Sequence, residues 1–285
     1  MHPTDNHGPI VIKLGGAAVE APEGQHALWE AIVALHHAEP GGVVLVHGGG
    51  GQVDRLLAAL GLPVARVDGL RVTPEDQIGH VTGVLAGTVN TAIVGALRRV
   101  GGNAVGLTIG SGGTTVCRVR EESGVRLGRV GAADAGDPLL LRTLLGENFL
   151  PVLSSIGLDS SGLPLNVNAD EAAASIAETV RARAIVLLTD VVGVLGADGE
   201  VIPEITRDRL EALIASGVVH SGMLVKVRAA LASAERSGCP VVIASWKHPS
   251  QLVGLSKGER LGTRVVPGSG VAARASGVGA QRGLS

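Results

Sequence analysis

The chain has 285 residues, a hydrophobic fraction of 45% and a formal net charge of −2 at pH 7. This hydrophobic fraction is ample for the core of one large or two small domains. With aromatic residues at 1% and no basic excess, the chain lacks the stacking rings and positive charge that nucleic-acid binding requires.

Short apolar runs alternate along the chain with longer segments of helical periodicity. The runs predict strands at residues 10–14, 43–46, 104–108, 152–156, 184–188 and 241–244. This alternation is typical of βαβ units, which form a parallel sheet covered by helices on both faces. The predicted fold class is therefore α/β, a three-layer α/β/α sandwich with a mainly parallel central sheet.

Capping residues mark several predicted helix boundaries. Thr73 and Pro74 precede two acidic residues, which predicts a helix that begins at Pro74. Gly217 and Gly238 follow helical patterns and are predicted to end those helices.

Two segments interrupt the alternation of strands and helices. Residues 114–120 and 125–129 predict a hairpin, and Asp198-Gly199 predicts a second hairpin between two short apolar runs. After Pro267 the apolar periodicity ends, which predicts a disordered tail. The predicted division is an N-terminal extension (1–9), an N-terminal lobe (10–165), a C-terminal lobe (166–266) and the tail (267–285), with a sheet that can be continuous across both lobes.

Other features of the sequence concern its cellular location. The first eight residues contain no apolar run typical of a signal peptide, and no uninterrupted apolar stretch reaches about 18 residues. The two cysteines, Cys117 and Cys239, are far apart and lack neighbours at metal-binding spacing, so we expect reduced core thiols. We expect a cytoplasmic protein with no membrane or nucleic-acid partner.

Two glycine-rich turns are the most informative feature of the chain. Gly15-Gly16 follows the first predicted strand, and residues 48–51 are four consecutive glycines after the second. Glycine lets backbone N–H groups approach phosphate or carboxylate oxygens closely, and a following helix adds its positive dipole end. Because Lys13 lies just before the first turn, the pattern indicates phosphoryl chemistry.

Standard nucleotide-binding signatures are missing. The chain contains neither G-x-x-x-x-G-K-[ST] nor G-x-G-x-x-G, which disfavours a P-loop enzyme and a nicotinamide dehydrogenase. No metal-ligand motif is present either. The remaining candidates are polar residues at strand ends, where open α/β sheets bind their ligands.

Each candidate also has a structural interpretation. Lys13 could extend from a strand edge to solvent, and Lys226 could be an ordinary surface lysine on a helix. Asn168 and Glu171 fit a capping box, whereas Asp170 is not needed for that role and could hold two lysines in place.

For further polar residues, position in the sequence alone does not decide between a functional and a structural role. Arg71 could bind a carboxylate through its guanidinium or be solvated at the surface. Asp190 follows a predicted strand, where Asp is also common in turns. His47 is interpreted as a core or capping histidine, with no role in proton transfer.

Taken together, these segments resemble the amino acid kinase family. The matching segments occur in the family's order at residues 12–16, 46–50, 69–73, 166–170, 189–193 and 222–226. Residues 244–248 resemble the short enterobacterial members that phosphorylate N-acetyl-L-glutamate. The resemblance covers residues 10 to about 265, nearly the whole chain.

The resemblance implies transfer of a phosphoryl group from MgATP to the γ-carboxylate of N-acetyl-L-glutamate in arginine biosynthesis, by a homodimer with Mg²⁺ held mainly by the phosphates. Lys13 and Lys226 would contact the transferring group, and Asp170 would orient both lysines. The acyl amino acid would be held by Gly49, Gly50, Arg71 and Asn166. The nucleotide would be surrounded by Gly15, Gly16, Asp190, Val191, Val192, Gly193, Val194, Leu195, Val218, Val219, His220, Gly222 and Met223.

Two alternatives remain open at the level of sequence. The acceptor could be N-acetyl-aminoadipate or its carrier-linked form in lysine biosynthesis, because one methylene changes binding by only about 1–3 kcal/mol. The chain could also be a non-catalytic small-molecule sensor, although Lys13, Asp170 and Lys226 together argue against this.

Overall fold

The computed structural model describes residues 8–121 and 126–268. The strands are β1 (Ile10–Leu14), β2 (Val43–His47), β3 (Arg66–Val67), β4 (Leu70–Arg71), β5 (Ala104–Thr108), β6 (Thr115–Val119), β7 (Val130–Ala135), β8 (Leu150–Ser154), β9 (Ile156–Leu158), β10 (Pro164–Val167), β11 (Ala184–Thr189), β12 (Glu204–Ile205), β13 (Val241–Ser245) and β14 (Thr263–Val265). The helices are α1 (Ala17–Glu20), α2 (His26–Ala38), α3 (Gly50–Ala59), α4 (Ile78–Thr82), α5 (Asn90–Arg99), α6 (Leu139–Gly146), α7 (Ala169–Val180), α8 (Arg207–Ala215), α9 (Ser221–Ser237) and α10 (Ser250–Gly254).

Eight strands form the central sheet, in the order β12-β14-β13-β11-β1-β2-β8-β5. All pairs among β13, β11, β1, β2, β8 and β5 are parallel, and only β14 and its parallel neighbour β12 run the other way. The α/β sandwich with a mainly parallel sheet is therefore confirmed, and the sheet is continuous across both predicted lobes. Because β1 lies between β2 and β11, Lys13 is in register with Val46 and Leu187.

The apolar runs form strands because both faces of the sheet are covered. Ile10, Ile12 and Leu14 belong to the core cluster on one face, whereas Val11 belongs to the cluster on the other. Full burial of one such side chain stabilises the fold by about 1.5–3 kcal/mol. The predicted strands agree closely with this sheet; the one predicted at residues 152–156 instead begins at Leu150 and ends at Ser154.

A second sheet, in the order β6-β7-β10-β9, lies beside the central one. The predicted hairpin is wrong in its second strand, since β6 pairs with β7 (Val130–Ala135) and not with residues 125–129. Residues 122–125, which include the predicted turn and the first residue of that segment, lie outside the described residues. Farther along, the Leu127 carbonyl accepts from the Thr73 backbone N–H at 2.9 Å, so this stretch joins the strand pair to the segment after β4.

The helix predicted to begin at Pro74 begins instead at Ile78. Its expected cap, Thr73, is buried and makes tertiary contacts: its hydroxyl donates to the Arg71 carbonyl and accepts from the Asn166 side chain, each at 3.0 Å. The predicted helix ends are confirmed, because Gly217 and Gly238 follow α8 and α9 with φ near 70°.

One helical segment within the described ranges, Ile78–Arg99, is long and apolar enough by length and composition to cross a membrane. Its middle residues, Gly83–Val89, form a π-helix between α4 and α5. Val81, Ile93 and Leu97 on this segment are buried in the same core cluster as β1, so it packs here as a core helix.

The remaining predictions concern chain ends, hairpins and cysteines. The Asp198-Gly199 turn is flanked by a single antiparallel bridge between Leu195 and Val201, a shorter pairing than a full hairpin.

Cys117 and Cys239 are buried free thiols, and burial raises the pKa of both. The predicted boundary between residues 165 and 166 falls inside β10, and residues 1–7 and 269–285 lie outside the described residues.

Candidate active site

Lys13 leaves the carboxyl end of β1 and lies over the first glycine turn. Its Nζ is 2.9 Å from Asp170 Oδ1, and its side chain is only 18% exposed. A Cβ on Gly15 would lie 2.9 Å from the same Nζ, and Gly16 has a φ of 56°. The two glycines therefore give the ammonium group room and let the turn adopt a left-handed conformation.

Lys226 reaches the same edge of the sheet from α9. Its Nζ donates to Asp190 Oδ1 at 3.0 Å and to the Thr189 hydroxyl at 3.2 Å. Asp170 was expected to orient both lysines; in the structure it pairs with Lys13, whereas Lys226 pairs with Asp190. Hydrogen bonds from Thr189 and Lys226 lower the pKa of Asp190 to about 2, so this partner is ionised at neutral pH.

Both lysines line one cavity of about 410 Å³, which we call the lysine cavity. Its wall combines apolar and polar side chains from β1, α7, β11, α9 and β13. The complete lining is Lys13, Gly15, Gly16, Asp170, Leu187, Leu188, Thr189, Asp190, Lys226, Ala229, Ile243 and Trp246. The sequence prediction did not assign six of these residues to a site: Leu187, Leu188, Thr189, Ala229, Ile243 and Trp246. Thr189 ends β11 and Trp246 directly follows β13, at the carboxyl edge of the sheet that was expected to bind ligands.

Of the residues predicted to surround the nucleotide, Gly15, Gly16 and Asp190 line the lysine cavity. Val194 and Val219 are buried in the core instead, with side chains that face other apolar residues. The rest lie on the loop after β11 or at the start of α9, outside this lining: Val191, Val192, Gly193, Leu195, Val218, His220, Gly222 and Met223.

A second cavity, of about 170 Å³, lies beside the four-glycine turn, and we call it the arginine cavity. All four residues predicted to hold an acyl amino acid line it: Gly49, Gly50, Arg71 and Asn166. The Arg71 guanidinium is held in place, since it donates to Asp54 Oδ1 at 2.5 Å and to the Gly50 carbonyl at 2.9 Å.

Two residues of this region were missed by the sequence prediction. Arg66 lines the arginine cavity and donates to Asp54 Oδ2 at 2.6 Å, so Asp54 joins two guanidinium groups. Burial opposes ionisation of Asp54, but hydrogen bonds from Arg71 and Arg66 outweigh it and lower the pKa of the carboxyl. Asp54 lies in α3, and nothing local in the sequence links it to two arginines in the following hairpin.

The first turn of α7 separates the two cavities. Asn168 and Ala169 line the arginine cavity, and the next residue, Asp170, lines the lysine cavity. Asn168 Oδ1 accepts from the backbone N–H groups of Asp170 and Glu171, which confirms half of the predicted capping box. The Glu171 side chain instead contacts Arg120 and accepts from the Ala133 backbone N–H. The amino end of α7 thus directs its positive dipole end at the junction.

Metal ligands are not clustered in the part of the chain that the structure describes, where no group of three or more His, Cys, Asp or Glu side chains converges. Lys13 and Lys226 supply the positive charge that lines the lysine cavity. Two lysines, two glycine turns and a helix amino end together can stabilise a phosphoryl group against a nearby carboxylate.

Comparison with known proteins agrees with this arrangement. The model of the amino acid kinase family matches residues 8–245. Acetylglutamate kinase of Pectobacterium carotovorum subsp. carotovorum (strain PC1) is 46% identical over 258 residues, which cover 90% of this chain and 99% of that protein. Acetylglutamate kinase of Edwardsiella ictaluri (strain 93-146) is 44% identical over 257 residues, covering 90% and 98%.

Solved structures share the fold at lower identity. N-acetylglutamate synthase from Neisseria gonorrhoeae, complexed with coenzyme A and N-acetyl-glutamate, aligns with a TM-score of 0.76 at 24% identity, covering 92% of this chain and 60% of that chain. Carbamate kinase from Giardia lamblia bound to AMP-PNP aligns with a TM-score of 0.62 at 20% identity, covering 91% and 98%.

The chain therefore belongs to the amino acid kinase family, as the order of its segments predicts. It is a phosphotransferase whose substrates are a nucleotide and a small molecule. Within the family it groups with the acetylglutamate kinases.

Proposed function

We propose that this protein transfers the γ-phosphoryl group of ATP to the γ-carboxylate of N-acetyl-L-glutamate, a step of arginine biosynthesis. One observation carries the proposal: Ala169 and Asp170, neighbours in the first turn of α7, line the arginine cavity and the lysine cavity respectively. An acceptor in the first cavity and a triphosphate in the second would therefore meet at the amino end of this helix.

In this proposal Arg71 binds the α-carboxylate of the acyl amino acid. A guanidinium that is already fixed by Asp54 and the Gly50 carbonyl loses little side-chain entropy when it binds a carboxylate. The N–H groups of Gly49 and Gly50 and the amide of Asn166 would hold the remaining oxygens, and the γ-carboxylate would extend toward α7.

The acceptor needs no general base. A carboxylate of this kind has a pKa of about 4.3 and is ionised at neutral pH. The main barrier is repulsion between the carboxylate and the triphosphate, which Lys13 and Lys226 would relieve. Asp170 would keep Lys13 in place, and Lys226 would exchange its exposed partner Asp190 for a phosphate oxygen.

We further propose that ATP enters with Mg²⁺. This ion prefers oxygen ligands and is commonly bound through phosphates with one or two carboxylates. The Asp190 carboxylate and the Thr189 hydroxyl line the lysine cavity, so its oxygen donors fit an ion carried mainly by the phosphates. When bound, the ion would neutralise phosphate charge.

We also propose that the chain is divided into the two predicted lobes, that it forms a homodimer and that it is located in the cytoplasm.

The test is ADP release from MgATP with N-acetyl-L-glutamate, N-acetyl-L-aminoadipate, L-glutamate or buffer, with hydroxylamine to trap an acyl phosphate. Hydroxamate from N-acetyl-L-glutamate alone would support the proposal. A preference for the longer acid would contradict the substrate assignment, and no turnover with any acid would contradict the kinase activity.

A further inference from the structure

His47 is a buried titratable residue that the proposed phosphoryl transfer does not use. It ends β2, immediately before the four-glycine turn, and is 0% exposed. Its Nδ1 lies 2.8 Å from the Gly48 carbonyl oxygen, and its Nε2 lies 3.0 Å from Asn90 Nδ2.

These two contacts define which ring nitrogen of His47 carries the proton. A carbonyl oxygen can only accept, so Nδ1 must donate to Gly48. Asn90 Nδ2 also donates to the Val152 carbonyl at 2.9 Å, which fixes this end of the amide as the donor. The His47 Nε2 therefore accepts from Asn90, and the ring is the neutral Nδ1–H form. Burial lowers the pKa of His47 to about 4, in agreement with a neutral ring.

The hydrogen bond to Gly48 has a consequence for the next residue. In a planar trans peptide, the Gly48 carbonyl and the Gly49 N–H point in opposite directions. Because His47 holds the carbonyl, the Gly49 N–H points away from the ring. Among residues 8–121 and 126–268, no protein group accepts from this N–H, and Gly49 lines the arginine cavity.

Two apolar side chains leave no room for a Cβ on Gly49. Gly49 has a φ of 156°, and a Cβ there would lie 2.9 Å from Leu85 and 3.0 Å from Val89. Both residues belong to the π-helix Gly83–Val89, and the next residue of the chain is Asn90. The π-helix therefore lies close to Gly49 and leads directly into Asn90, whose amide fixes the His47 ring. Such segments are often found at functional sites.

We propose that His47 is a positioning residue that, with its ring proton held on Nδ1 by the hydrogen bond from Asn90, turns the Gly48–Gly49 peptide so that the Gly49 N–H binds an oxygen of the acyl amino acid. This inference rests on the proposed function of the arginine cavity. His47 would act through the backbone and would neither touch the substrate nor transfer a proton.

Two amide variants test the proposal, because each can keep one of the two hydrogen bonds that the imidazole ring makes. In His47→Asn the side-chain nitrogen can occupy the position of Nδ1 and still donate to Gly48. In His47→Gln the longer amide can accept from Asn90 but cannot donate to Gly48. We expect His47→Gln to raise the KM for N-acetyl-L-glutamate about tenfold, and His47→Asn to raise it less than about twofold. The KM for ATP should stay unchanged in both.

Both variants replace an aromatic ring by an amide and should melt at similar temperatures. Equal changes in KM for the two variants, or a change in the KM for ATP of the same size, would overturn the proposal. Turnover by the unchanged protein is measured first, so failure of the proposed function is seen separately.

A spectroscopic measurement does not depend on activity or on variant folding. The ¹⁵N-resolved spectrum of the unchanged protein at neutral pH should show the His47 ring with its proton on Nδ1. The signal can be assigned by its absence in His47→Asn, or by its coupling to Gly48 if that variant does not fold. A proton on Nε2 would overturn the proposal.

Discussion

The arginine cavity and the lysine cavity differ in how their charged side chains are held. The Arg71 side chain is 8% exposed and is fixed by Asp54 and by the Gly50 carbonyl. In the lysine cavity, Lys226 and its partner Asp190 are 42% and 68% exposed. Exposed ion pairs contribute about 0–1 kcal/mol, so the second pair can separate easily when a phosphate arrives.

This difference indicates that the two cavities are suited to binding different kinds of ligand. The smaller cavity is built around fixed donors, which suits the recognition of one small acid with a defined shape. In the larger cavity, Lys13 lies at a strand end beside Asp170, whereas Lys226 belongs to the exposed ion pair with Asp190. The structure therefore combines a preorganised arginine cavity with an adjustable lysine cavity, which in the proposed function would bind the acceptor and the nucleotide.

The largest expected effect comes from removing Lys13. Lys13→Ala should lower kcat by about 10²–10³-fold with a much smaller change in either KM, because the ammonium acts mainly where charge develops. Lys226→Ala should show the same pattern. Steady-state kinetics measures both variants, with Lys257→Ala, an exposed lysine outside both cavities, as the control. A rise in KM at unchanged kcat would remove the lysines from the transition state.

An intermediate effect is expected at Asp54, which holds Arg71 and Arg66. Asp54→Asn should raise the KM for N-acetyl-L-glutamate about tenfold, because both guanidinium groups lose their charged acceptor. The KM for ATP should not change. Asp208→Asn, at an exposed helix position, is the matched control. If Asp54→Asn changes both KM values equally, the acceptor side is not separately preorganised.

The smallest expected effect concerns Asp190. Its pKa is lowered to about 2 in the folded protein, so its ionised form stabilises the fold above about pH 4, and this contribution is lost as the pH falls toward 2. Because the group is exposed, Asp190→Asn should cost less than about 1 kcal/mol of unfolding free energy at neutral pH. Urea denaturation from about pH 6 to about pH 3 should show this difference shrinking with acidity; a constant difference would contradict the assignment.

Much of the fold could be predicted because it depends on local apolar runs. β1, β2 and β13 are short, continuous and buried on both faces, so their apolar runs are visible in the sequence. Thr73 is a residue where the local pattern failed. Its sequence context is typical of a helix cap, but its hydroxyl forms hydrogen bonds with Arg71 and Asn166 instead. Tertiary contacts override a local preference of about 1 kcal/mol.

The candidate site was predictable where residues adjoin glycine turns or strand ends, as for Lys13, Gly49 and Arg71. It was not predictable where function depends on contacts between distant segments. Asp54 meets Arg71 across 17 positions and His47 meets Asn90 across 43, and neither pair has a local signature. The family resemblance placed Val194 at the nucleotide, yet its side chain is buried in the core.

The junction at α7 has a consequence for how the two substrates influence each other. Ala169 and Asp170 are covalent neighbours in one turn of helix, but they form parts of different cavity walls. A displacement of that turn by one ligand necessarily reshapes the space open to the other. Any resulting change in affinity must be reciprocal, with the nucleotide altering the binding of the acid by the same factor as the acid alters that of the nucleotide.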